Sequence, residues 1–206
     1  AVGERLRAAV RHGLHHFGEI LKIDEDERRR FQNFPKVMKT VPHSGAETLA
    51  NGVKLADACR AKGVLVVLIR VGHPANHTPH PNVPNDEAFA GFEYPPNPME
   101  ICAELGPKDG DVIVDKYNWG AFYQTNLDAQ LRRRGIRTLI MGGLVSHIGV
   151  DTTMRQAQER NYAQILAVDA ISAFELSQHE HFVKHVAPRL SRVRTTDEIV
   201  AALNAA

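Results

Sequence analysis

The stretch TLIMGGLVSHIGVDTTMRQA, residues 138–157, decides the reading of the fold. An apolar run over 138–141 meets Gly142-Gly143, turns through Val145-Ser146-His147 and enters a helical pattern at Gly149. Short apolar runs without polar alternation read as strands buried on both faces, as parallel strands are. A strand that feeds a helix through such a turn also makes an anion platform. The first N–H groups of the helix lack intrahelical acceptors and lie at the positive end of its dipole.

The same unit recurs on either side. Runs 64–69, 111–114 and 164–168 read as further strands, and 46–62, 126–134, 151–160 and 177–190 carry helical spacing. Gly63 and Gly135 stand where helices stop. A short run at 192–194 leads into TTDE, where a Thr followed three residues later by an acid predicts a capped closing helix over 196–204. Alternating strands and helices predict an α/β fold with a parallel sheet between helical layers.

A chain of 206 residues with 43% hydrophobic content is long enough for one core, so a single domain over 1–206 is expected. Its N-terminal segment, about 3–33, is atypical. Leu6, Val10, Leu14, Phe17, Ile20 and Leu21 recur at helical spacing before a charged run, with 19–24 open between helix and short strand. Residues 72–98 are dense in Pro, Asn and His, which marks a binding loop or lid.

Net charge is +1, and the basic patches Arg28-Arg29-Arg30 and Arg132-Arg133-Arg134 are short and lack interleaved aromatics, so no nucleic-acid role is expected. No apolar run approaches the roughly 20 residues that span a bilayer, so no membrane role is expected either. Cys59 and Cys102 lack CxxC spacing, which favours a reducing compartment and a cytoplasmic location. Both fall in apolar helical patterns and read as buried structural cysteines.

Lys116 follows the strand run 111–114, at its C-terminal end, where open α/β sheets place their ligand crevice. Taken by position alone it also reads as a solvated lysine at a loop start. The surrounding stretch DKYNWGAFYQTNLDAQLRRRGI, residues 115–136, resembles the strand, lysine, aromatic loop and helix of the isochorismatase-like hydrolases. The 138–157 stretch, beginning 22 residues beyond Lys116, resembles that family's oxyanion turn, and HEHFVKHVAPRLSRVRTTDEIVAAL resembles its last helix, strand and helix. The likeness covers roughly residues 42–200.

The resemblance implies a three-layer α/β/α fold with a mostly parallel central sheet. It also implies a cis peptide bond in the turn, by position Val145–Ser146. Amidase members carry a nucleophilic cysteine where this chain has Gly149, and a nucleophile there is what thioester chemistry requires. Glycine at that position resembles the isochorismatases proper and the related enzyme of phenazine biosynthesis, which cleave a vinyl ether without a covalent intermediate. In that route an aspartic acid protonates the enol-ether carbon, the oxocarbenium ion takes up water, and the hemiketal collapses to pyruvate and a dihydroxydiene acid. Gly149 would supply room and Lys116 the cation for a substrate carboxylate. The family places its acid at the end of the first strand, and the nearest match is Asp24 in Ile20-Leu21-Lys22-Ile23-Asp24. Asp24 precedes Glu25, Asp26 and Glu27, so it also reads as part of a solvated acidic helix face.

Val145, Ser146 and His147 are the expected substrate-binding turn, with His147 either bonding the substrate or fixing the loop. Trp119, Phe122 and Tyr123 read equally as pocket walls or as packing under the loop. His73, His77 and His80 resemble a nicotinamidase zinc segment, but Val71 stands where its aspartate belongs, so no metal and no cofactor are expected. The expected partner is a small acidic substrate, and the family implies a homodimer or homotetramer. Two other functions stay open: a catalytically inactive member that binds a metabolite or assembles with a partner, and a nicotinamidase-like amidase, against which Gly149 argues.

Overall fold

Helix α1, Gly45–Ala61, starts at a capping box in which the Ser44 Oγ accepts the Glu47 N–H while the Glu47 carboxylate accepts the Ser44 N–H. It leads to β1, Val67–Val71, in a computed structural model that describes residues 38–71, 86 and 100–205. The order continues through β2 (Val112–Lys116), α2 (Leu127–Arg133), β3 (Thr138–Leu144) and a π-helical turn (Ser146–Val150) that opens α3 (Asp151–Glu159). Then come β4 (Ala163–Ser172), α4 (Leu176–His181), a second π turn (Phe182–Val186), α5 (Ala187–Leu190), β5 (Arg192–Arg194) and α6 (Thr196–Ala205).

Every strand pair is parallel, as the buried runs predict. β1 pairs β2 with Val67 opposite Val112 and Val71 opposite Lys116, and β3–β4–β5 form a second ladder. Among the described residues, no strand pairs with the remaining edge of β1 or of β3, so the ladder there is two sheets rather than one. The helical layers nevertheless span both. Val67, Val112, Val114 and Leu139 pack with Leu127 and Leu131 of α2 and Ala157 of α3, while Val66, Ile140 and Ile165 pack against Leu55 and Cys59 of α1 and Ile199 of α6. Adjacent residues Leu139 and Ile140 thus enter opposite layers, which is the two-residue alternation of a strand covered on both faces.

Four sequence expectations shift. Strand β1 begins three residues late because the Val64 N–H closes the end of α1 on the Cys59 carbonyl, and Val66 accepts from the neighbouring strand, through Val112. β3 runs on through both glycines, with a register slip between Met141 and Gly143. The expected helix 177–190 is interrupted by the second π turn just before Pro188, which has no N–H to continue the ladder. Cys102 lies in a turn closed by Leu105 N–H on its carbonyl and not in a helix, although its burial is as expected. Gly63 and Gly135 do end helices, with φ of +67° and +65°, and the Thr195–Glu198 cap of α6 forms in both directions. The N-terminal segment 3–33, including Asp24, and His73, His77 and His80 lie outside the described residues. None of the described helices is long and apolar enough to cross a membrane.

Candidate functional site

Two strand ends make the site. Lys116 is the last residue of β2, and β3 ends at Leu144 beside the π turn that holds Gly149. The Lys116 Nζ donates to the Trp119 carbonyl at 2.6 Å. A Cβ built on Gly149 would lie 3.1 Å from that Nζ, 3.6 Å from the Trp119 carbonyl oxygen and 3.7 Å from the Leu144 carbonyl oxygen. The space left by the missing side chain is therefore bordered by the lysine amine and two carbonyls.

Enclosure costs the amine its water. Burial pulls the Lys116 pKa down to about 8, which at pH 7 still leaves roughly ten charged lysines for each neutral one. Among the described residues no carboxylate pairs with it. The adjacent Asp115 has its side chain on the other face of β2 and pairs with Arg70 of β1 at 2.5 Å. A cation that no described carboxylate neutralises, next to a helix start, can take an anion.

The cis peptide bond is Leu144–Val145, one residue before the position the resemblance implies. The extended β3 carries the strand end to Leu144, opposite Ser172, so the turn begins at Val145, whose carbonyl accepts the N–H groups of Ile148 and Val150. Val145 and Ser146 are buried, so neither presents its side chain at a surface. Ser146 Oγ lies 3.4 Å from the Nδ1 of His179. His147 is half-buried, its Nδ1 has no hydrogen-bond partner among the described residues, and its ring meets Phe174 edge-on at 6.4 Å. Burial holds its pKa below the usual 6.5 against the smaller opposing pull of Asp151 and Glu175, so the ring is neutral at pH 7.

Of the three loop aromatics, Trp119 and Tyr123 are about half exposed. Phe122 differs: its ring sits in the core under the loop, 5.7 Å from Tyr162, which corrects its reading as a pocket wall. What Trp119 brings to Lys116 is its carbonyl. Sequence reasoning missed Thr153 and Gln156, which hold the loop from α3: Thr153 Oγ1 accepts the Ala121 N–H at 3.1 Å and donates to the Gly149 carbonyl at 2.6 Å, and Gln156 Oε1 accepts the Phe122 N–H at 3.1 Å. Their three-residue spacing puts both on one helix face, the only signal that was there to find.

His179 makes a stability prediction. Burial, and to a smaller extent His43, lowers its pKa, so between that value and 6.5 the unfolded chain binds more protons and stability falls as pH drops. His179→Gln is expected to flatten the loss of Tm between pH 7.5 and 5.5 by about 2–4 °C. Scanning calorimetry showing equal losses in both proteins would refute the assignment.

The Isochorismatase domain profile matches residues 33–198. The uncharacterized isochorismatase family protein YecD of Escherichia coli O157:H7 is 40% identical over 162 residues, covering 79% of this chain and 86% of that protein. The isochorismatase of Bacillus subtilis (strain 168) is 29% identical over 162 residues, 75% of this chain and 49% of that enzyme. The structure of an isochorismatase family protein from Burkholderia thailandensis superposes with a TM-score of 0.79 at 33% identity, covering 84% of this chain and 92% of that one.

Proposed function

This chain belongs to the isochorismatase family, and on that footing we propose that it hydrolyses a small acidic substrate, a vinyl ether such as isochorismate, without a covalent intermediate. One observation carries the reading: at position 149 there is no nucleophile, and the Lys116 amine lies 3.1 Å from where its Cβ would stand. Cys59 and Cys102 are buried, neither belongs to the turn, and burial pushes the Cys59 thiol above its ordinary range, which argues against a replacement thiolate.

In this reading Lys116 pairs with the substrate carboxylate, and the N-terminal amides of the turn support the second negative region. Asp24 is the proposed acid, protonating the enol-ether carbon. Water adds to the oxocarbenium ion, and the hemiketal releases pyruvate. His147, neutral at pH 7, offers a hydrogen bond and no charge. A cytoplasmic homo-oligomer is the proposed setting.

Purified protein is expected to release pyruvate from isochorismate in equal amount to the dihydroxydiene acid, followed with lactate dehydrogenase and NADH. No release above a Lys116→Ala control would remove isochorismate as substrate. Carboxylate binding should also weaken as pH rises through about 8, where Lys116 loses its charge. Trp119 is the single tryptophan of the chain and sits at the loop, so its fluorescence reads that titration directly. Affinity that is flat from pH 7 to 9.5 would count against Lys116 as the anion's partner.

A further inference from the structure

We infer that Thr153 and Gln156 of α3 are positioning residues for Lys116: they hold the loop at residues 120–122 so that the Trp119 carbonyl stays over the lysine amine beside Gly149. The inference rests on the site being at Lys116 and Gly149, as proposed above, but not on the identity of the substrate.

Thr153 is buried, and its single hydroxyl joins the two halves of the site. It accepts the Ala121 N–H from the lysine's loop and donates to the carbonyl of Gly149 in the turn. Ala121 is held from the other side too, because its carbonyl accepts from Thr125 Oγ1 at 2.6 Å, and that oxygen in turn accepts the Leu127 N–H at the start of α2. One residue further, Phe122 is held by Gln156. With both backbone groups of Ala121 and the N–H of Phe122 committed, the Trp119 carbonyl two residues upstream has little freedom. That carbonyl is the acceptor of the Lys116 Nζ.

Gly120 shows how closely loop and helix meet. A Cβ there would lie 2.5 Å from both Cδ and Nε2 of Gln156, inside any allowed contact, so a side chain at 120 must displace either Gln156 or the loop. A loop that merely needed a turn would not require its glycine to face α3. The approach seats the Gln156 amide against the loop backbone at Gly120, beside its hydrogen bond from the Phe122 N–H.

The test reads the amine itself. Acetylation of Lys116 by acetic anhydride as a function of pH, quantified on its peptide by mass spectrometry, is expected to give a midpoint of about 8 in the parent protein. Thr153→Val keeps the volume and removes both hydrogen bonds. Water should then reach the amine, and the midpoint should rise towards 10.5 by about one pH unit or more. Thr153→Ser retains the hydroxyl and should stay within about 0.2 of the parent value. A folded Thr153→Val with the parent midpoint would overturn the inference, whatever its Tm, because a purely structural bond would lower stability without moving the titration. Where Thr153→Val does not fold, Gln156→Leu, which removes the bond to the Phe122 N–H, is expected to raise the midpoint, and an unmoved midpoint there overturns it equally. A parent midpoint near 10.5 would overturn it as well, by showing the amine is not enclosed. Failure of isochorismate turnover touches only the proposed substrate and leaves these readouts intact.

Discussion

Lys116→Ala is expected to lower kcat/KM for the acidic substrate by about 10²–10³, the range seen when one preorganised group facing developing or bound charge is removed. The reason lies in the site's electrostatics. Lys116 is held at the end of a strand by one 2.6 Å bond to a backbone carbonyl, and no described carboxylate neutralises it. Its charge is therefore directed at whatever enters beside Gly149. Arginine should not rescue, since the planar guanidinium is wider than an amine that already sits 2.6 Å from the Trp119 carbonyl. Lys116→Met supplies the complementary measurement. A desolvated cation opposes folding, so a methionine, unbranched and one atom shorter, should raise Tm while activity is lost. The parent's disadvantage is also pH-dependent. With its folded pKa below the unfolded 10.5, the unfolded chain binds more protons between about 8 and 10.5, and stability contributed here rises with pH across that window. Lys116→Met should lack that rise. Equal initial rates in parent and Lys116→Ala would end the case for Lys116 as a catalytic residue.

Gly149→Cys should create a reactive thiol in the turn, where the described residues supply none. Its Cβ would stand 3.1 Å from the Lys116 Nζ, a tight contact that the flexible end of a lysine relieves by moving a few tenths of an ångström. The new sulfur would then lie beside an ammonium and at a helix start, the surroundings that bring thiol pKa values down from about 8.5 into the range of about 3.5–7.5. At pH 6 its alkylation by iodoacetamide is expected to run about tenfold or more faster than that of an ordinary thiol. The double variant with Lys116→Ala should lose most of that excess. The proposed vinyl-ether hydrolysis should fall in Gly149→Cys, because the added atoms occupy the space a substrate would use. A cysteine at 149 that reacts no faster than glutathione, with or without Lys116, would contradict the geometry of the turn.

The helix and strand order was legible because periodicity is a local property. Leu139 and Ile140 enter opposite helical layers as a buried parallel strand must, and Gly63 and Gly135 end helices in the left-handed conformation that glycine favours. The site was legible in part. Lys116 and Gly149 were singled out from different segments, and the fold brings them to 3.1 Å from amine to virtual Cβ. Phe122 was not legible, since an aromatic in a loop motif has the same letter whether it faces a ligand or the core. Thr153 and Gln156 were missed because hydrogen bonds to main-chain N–H groups more than 30 residues away leave no pattern in the chain.

The amino-acid sequence by itself determined the class of fold, the absence of a nucleophile at 149 and the lysine at the end of its strand, since each is a matter of residue type and local spacing. Tertiary structure decided what those residues amount to. The room that glycine leaves is bordered by the Lys116 amine, the cis bond falls at Leu144–Val145, and α3 ties the lysine's loop to the turn. These depend on distances between segments remote in the chain, and a lysine's charge becomes a site property only when packing removes its water and limits its partners.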